Sequence, residues 1–188
     1  MRRLFILALV GLLHCSAVVA DVLSDLAGKY SIAGHFTQRV LSADGIALES
    51  AQGRFRLLRP DYFWWQIETP ERQLLISVGN KLTQIDWDLE VVIEREITQE
   101  ARSALQWLLA PRRELESAFA IEHSDAGVVL TAISDAQGFS SIALGYQDEE
   151  VWALSITDLS GQVLEFLLFE DPEIAIDATA FEVPETPF

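Results

Sequence analysis

Arg59-Pro60-Asp61-Tyr62-Phe63-Trp64-Trp65-Gln66-Ile67 is the stretch on which the reading of this chain turns. A proline-marked bend delivers one arginine and four aromatic side chains into a single β-strand, closed at its far end by Pro70, as proline at strand ends allows. Alternate strand residues face opposite sides, so Phe63, Trp65 and Ile67 share one face and Tyr62, Trp64 and Gln66 the other. A sheet with aromatics on both faces needs an apolar layer or a ligand on each. The segment therefore reads as the wall of an apolar binding site.

Outward from that strand the period is two. His35–Leu41 and Ile46–Leu58 read as strands around the turn Ala43-Asp44-Gly45. Arg72–Val78 and Lys81–Asp86 flank Gly79-Asn80, a two-residue hairpin turn. Glu90–Ile97 follows, and five more strands run from Phe119 to Glu170. Two places break the pattern. Asp21–Ile32 carries Val22, Leu23, Leu26, Ala27 and Tyr30 at helical spacing, with Gly34 ending the run. After Thr98, a suitable N-cap, Ala101, Ala104, Leu105, Leu108 and Leu109 fall on one helical face and Pro111 stops it, with a short helix expected over Arg113–Ala118. The expected fold is mostly β (α+β): a curved, unclosed antiparallel barrel of about 11 strands, lidded by an N-terminal helix and a central helical insertion, with a cavity between sheet and helices.

Met1-Arg2-Arg3, the apolar run Leu4–Leu13 and the small residues Ser16–Ala20 have the parts of a secretory signal peptide, with cleavage expected after Ala20. His14 stands before Cys15 where a lipobox has a small residue, so Cys15 leaves with the signal and the remaining chain has no cysteine to staple it. The expected organisation is a signal at 1–20 and one domain at 21–188. Without Arg2 and Arg3, 11 basic side chains face 29 acidic ones, a formal charge of −18. Nucleic acid is not a partner for such a surface, and a monomer is expected.

Catalytic chemistry is hard to find. His35 and His123 lie on separate strands, and no Gly-x-Ser-x-Gly elbow or phosphate-cradling glycine loop occurs. The ligand types for a transition-metal site are too few, and no metal or cofactor is expected. The reading is that of a protein that is not an enzyme. A hydrolase built on paired carboxylates stays open as an alternative, as does an exported binding or sensor module.

Several segments together resemble the periplasmic outer-membrane lipoprotein carrier (LolA-like) family. They are Phe36-Thr37-Gln38-Arg39-Val40, Gly53-Arg54-Phe55-Arg56, the opening stretch, Gln73–Ser77 with Gly79-Asn80-Lys81-Leu82, Asp88-Leu89-Glu90, Asp158 with Gly161-Gln162, and Ile176–Ala178 leading to Phe181–Pro184. The resemblance implies a periplasmic carrier that shields the acyl chains of a lipoprotein, or a related envelope lipid, in transit between membranes. An inner-membrane release complex and an outer-membrane receptor are the implied partners. It implies a lipid cavity walled by Tyr30, Phe36, Phe55, Leu57, Phe63, Trp65, Ile67 and Leu105, and a lid latch at Arg59. From the residues alone, Arg59 reads as a strand-end arginine in an ordinary ion pair. Trp64 departs from the family pattern, as do Ile85-Asp86-Trp87-Asp88, the Thr186-Pro187-Phe188 end and the acidic charge. These departures leave room for a specialised paralogue serving another envelope lipid or lipid-linked polymer.

Overall fold

The computed structural model describes residues 22–97, 104–148 and 151–185. The expected signal peptide and cleavage point, Asp21, Thr98 and Ala101 lie outside them. Eleven strands form one sheet: β1 Ser31–Leu41, β2 Ala47–Leu58, β3 Tyr62–Thr69, β4 Gln73–Val78, β5 Lys81–Asp86, β6 Val91–Glu96, β7 Phe119–Ser124, β8 Gly127–Ala132, β9 Phe139–Asp148, β10 Val151–Asp158 and β11 Val163–Glu170. Their order is β6-β5-β4-β3-β2-β1-β11-β10-β9-β8-β7, and the described pairings are antiparallel.

β6 and β7 are consecutive in the chain yet lie at opposite edges, so the sheet is open. The chain between them must cross one face of it. That crossing carries α2 (Ala104–Trp107) and α3 (Arg112–Ala118). With α1 (Val22–Gly28), these helices cover the inner face and complete its core. Val22, Leu23 and Leu26 of α1, and Ala104 and Trp107–Ala110 of the crossing, are buried in one cluster with Phe36, Phe55, Leu57, Phe63 and Trp65 of the sheet.

Two expectations about the helices need correction. The first helix ends at Gly28, and Ser31 already pairs with Leu58 in the sheet. Gly34, read as the helix stop, is a mid-strand residue. A Cβ there would run into the main-chain carbonyl of Phe169 on β11. The central helix has only four described residues, followed by successive tight turns: Leu108, Leu109 and Ala110 donate to Leu105, Gln106 and Trp107. Four consecutive residues, Trp107 to Ala110, are buried there, which no single helical face provides.

The packing of the aromatic wall depends on Gly53. It lies on β2 between Phe36 of β1 and Ile67 of β3. A side chain at Gly53 would collide with the Gln66 carbonyl and the Phe36 ring. Its absence lets Phe36 stack on Trp65 across β2 with centroids 3.9 Å apart. Trp65 in turn meets Phe166 of β11 edge-on at 5.5 Å and lies parallel to Phe63 at 6.0 Å.

The outer face of β3–β5 has a cover of its own. After β11 the chain turns back, Asp171 donating its amide to the Ala33 carbonyl. Asp177 then caps a 3-10 turn at Ala178–Phe181. Phe181 is buried with Leu58, Trp64, Leu74, Ile76 and Ile85, and meets Tyr62 edge-on at 5.3 Å. Arg56 lies 4.5 Å over the Trp64 ring and donates to the Ala180 carbonyl at 3.2 Å. Trp64, the residue that departs from the family pattern, is thus the floor on which this C-terminal segment sits.

Two variants check this packing. Gly53→Ala forces strand backbone apart in a filled core and lowers unfolding free energy by about 3 kcal/mol. Phe181→Ala empties the centre of the second core and costs about 3–5 kcal/mol. Urea denaturation followed by tryptophan fluorescence reads both; an unchanged midpoint in either contradicts the corresponding packing.

Candidate functional site

Arg59 follows directly after β2 and ends up beneath the lid, where its guanidinium meets main-chain carbonyls. Nε donates to the carbonyl of Lys29 at 3.0 Å and Nη2 to that of Leu26 at 3.0 Å. Nη1 donates to Leu109 at 2.6 Å, and Nη2 also to Leu108 at 3.3 Å. Leu26 is in the last turn of α1, and Leu108 and Leu109 follow α2. Carbonyls at helix ends lack intrahelical partners and carry the negative end of the peptide dipoles, so a cation satisfies both needs. The planar fork, with its five donors, lets one side chain hold two separate segments. Burial pulls the Arg59 pKa down from its ordinary value. The Arg59 amide adds a backbone bond to the Tyr30 carbonyl at 3.0 Å. The peptide between Arg59 and Pro60 is cis.

A second set of contacts fastens α1 to the other half of the sheet. The Tyr146 hydroxyl on β9 donates to Asp25 at 3.0 Å, and Lys29 pairs with Glu170 of β11 at 2.7 Å. Lys29 also lies 6.0 Å over the Trp152 ring, which leans on Tyr146. Burial, and then donation to Asp25, push the Tyr146 pKa up to about 12, so the phenol stays a donor across the physiological range. Asp25 lies on α1 and Lys29 directly after its end, so the two contacts hold the helix and its exit against the sheet. Sequence reasoning missed this strap. In each of its two pairs the partners are far apart in the chain, and the residues are ordinary in type.

Of the residues expected to wall a cavity, Phe36, Phe55, Leu57, Phe63 and Trp65 come together in the buried inner cluster, with Phe55 wholly inaccessible. Ile67 and Leu105 are half-buried against its edge. Tyr30 is not part of it: the side chain is 70% exposed. The helical spacing that would turn Tyr30 inward stops two residues earlier, at Gly28. The inner face holds aromatic residues that the expectation did not include: Phe119, Phe139, Trp152 and Phe166. Period-two patterns in their strands carried the signal, as in Leu164-Phe166-Leu168.

The lid in this structure is shut, and its leucines fill the space over the aromatic wall. Among the described residues, one cavity opens beside it and another lies on the other face of the sheet. One of about 500 Å³ lies at the seam between the lid crossing and the ends of β3 and β4, with Phe63 and Ser77 among its lining residues. A larger one, about 850 Å³, is a trough on the outer face of the central strands, lined by Thr37, Arg39, Ala143, Ala153 and Leu167. Strand alternation puts those side chains on the face opposite Phe36, Phe166 also contributes to the lining, and the ion pair of Arg39 with Glu165 at 2.6 Å lies in it. His35 is exposed on the outer face, stacked on Phe169 at 4.6 Å, with no role at either cavity.

The chain matches the family described as outer membrane lipoprotein carrier protein LolA over residues 28–184. It is 31% identical over 164 residues to an outer-membrane lipoprotein carrier protein of Chromohalobacter salexigens, covering 82% of this chain and 78% of that one. A protein of the same description from Pseudomonas paraeruginosa is 29% identical over 196 residues, covering 97% and 94%. A solved LolA-superfamily structure from Nitrosomonas europaea superposes with a TM-score of 0.45 at 11% identity, covering 87% of this chain and 98% of that one. On the family match and the Chromohalobacter relative, the chain belongs to the outer membrane lipoprotein carrier (LolA) family.

Proposed function

We propose that this protein is a periplasmic carrier that takes the acyl chains of a lipoprotein against its inner aromatic wall and releases them at the outer membrane, with no covalent step. The observation that carries the reading is Arg59: one charged fork gripping four main-chain carbonyls of two lid segments, at the rim of a wall built from Phe36, Phe55, Phe63 and Trp65.

An acyl chain loses about 0.8 kcal/mol for each methylene left in water, so a sixteen-carbon chain cannot cross an aqueous space bare. In the shut protein the same wall is covered by Leu23, Leu26, Leu108 and Leu109. Loading exchanges these leucines for acyl chains, apolar for apolar, so the two states have comparable burial. A bias of a few kcal/mol then decides which is favoured. Arg59 supplies it on the shut side through hydrogen bonds that exist only when both lid segments are in place. Each such charged bond is worth about 1.5–3 kcal/mol before screening by solvent at this half-exposed site. A carrier needs that bias in order to let go.

Arg59→Leu is expected to tip the balance toward the loaded state. Affinity for a fluorescent long-chain probe rises about tenfold, and handover of bound cargo to outer-membrane vesicles slows by a similar factor. Arg59→Lys, which keeps the charge and loses the fork, falls between. Stopped-flow transfer with purified protein reads both quantities, and a leucine variant that loads and releases like the parent contradicts the latch.

A further inference from the structure

An acyl chain has to displace part of the lid to reach the aromatic wall, and the two lid pieces join the sheet in different ways. α1 leads straight into β1, a central strand, with only Lys29 and Tyr30 between them. Its Val22, Leu23 and Leu26 are buried, and the helix packs on β8 and β9. Two side-chain pairs pin it there, Asp25 with Tyr146 of β9 at 3.0 Å and Lys29 with Glu170 of β11 at 2.7 Å. The crossing instead joins the two edge strands, β6 and, through α3, β7. Its Gln106, Leu109 and Ala110 line the seam cavity of about 500 Å³ together with Phe63 of β3 and Ser77 of β4. Phe63 belongs to the aromatic wall, its ring parallel to that of Trp65 at 6.0 Å. Open volume therefore adjoins the wall on the side of the crossing, while the pinned helix stands over β8 and β9.

We propose that the lid opens on one side only: the acyl chain enters through the seam by lifting residues 104–110, while the Asp25–Tyr146 and Lys29–Glu170 pairs hold α1 on the sheet as the fixed jaw. The inference rests on the carrier reading and narrows it. Leu108 and Leu109 are the leucines exchanged for acyl chain, and Leu23 and Leu26 stay in place on α1. Arg59 then releases the carbonyls of Leu108 and Leu109 and keeps those of Leu26 and Lys29, so the fork remains positioned for reclosure. Lifting α1 instead would break both pairs and pull on β1 at the middle of the sheet. Segments open as local units where their movement leaves the rest of the core intact, and a connection between edge strands meets that condition. Tyr146 and Glu170 are positioning residues in this device: they act on the cargo only through α1.

Hydrogen exchange read by mass spectrometry tests this, with a synthetic triacylated lipopeptide as the probe. When the wild-type protein binds it, amides in 104–112 exchange about tenfold faster and those in 22–30 change by less than about twofold. In Tyr146→Phe/Glu170→Gln the strap is gone, and lipopeptide binding also speeds exchange in 22–30 by about tenfold. The loading rate checks the route independently. The chain beyond residue 20 has no cysteine, so single cysteines can carry a polyethylene glycol maleimide. On Asn80→Cys, at the seam, that group slows loading about tenfold; on Asp125→Cys, in the exposed turn between β7 and β8, it leaves the rate within about twofold of the unlabelled protein. Faster exchange in 22–30 of the wild type, unchanged exchange in both segments of lipopeptide-bound protein, a strap variant whose 22–30 stays protected, or a seam label that slows loading no more than the control overturns the proposal. Failure of the wild type to bind the lipopeptide overturns the carrier reading itself, so the two failures are distinct.

Discussion

A single sheet that places two consecutive strands at opposite edges has to send its chain back across one face. In this protein that constraint governs everything above the sheet. β6 and β7 lie ten strand positions apart, and the described part of the crossing is residues 104–118. The segment cannot leave bare backbone over an apolar face, since buried peptide groups need partners. It forms two short helices and a series of tight turns, and the carbonyls left over where α2 ends are taken by Arg59. The helical cover and the Arg59 bonds that hold it are consequences of strand order together with the obligation to satisfy main-chain polar groups.

The two faces of the sheet are finished differently, and the difference bears on function. On the outer face of β3–β5, the C-terminal segment seals Trp64 with Phe181 and an Arg56 stack, a cover that is continuous with β11 and tied down by Asp171 and Asp177. On the inner face, the cover is two pieces of chain from distant parts of the sequence. They are joined to each other and to the sheet end through one guanidinium, and α1 is strapped on by Asp25–Tyr146 and Lys29–Glu170.

Much of this was legible in the chain. The strand alternation in Tyr62–Ile67 assigned Phe63 and Trp65 to one face and Trp64 to the other, and both faces are filled. The Gly79-Asn80 hairpin and most strand bounds followed from period two. Where the reading failed, a local pattern met a tertiary demand. The helical spacing through Tyr30 and Ile32 belonged in part to a strand, because Ser31 onward is claimed by pairing with β2. Gly34 looked like a helix stop; the neighbouring strand backbone is what requires it. The stripe around Leu105 is helical over the described Ala104–Trp107, but the chain then bends through Leu108–Ala110, because short-range spacing carries no information about where a crossing must bend.

By itself the sequence determined the class of the fold, the apolar character of the aromatic strand and the family, because these rest on periodicity, residue type and ordered motifs along the chain. It also named Arg59, as a residue with more than one reading. Only the tertiary structure decided what Arg59 touches, since its partners are carbonyls of residues 26, 29, 108 and 109, and main-chain groups have no signature in a sequence. The same holds for the Asp25–Tyr146 strap and the Trp64–Phe181 core. Each joins side chains about 120 residues apart, and only the order in which the strands assemble brings them within reach.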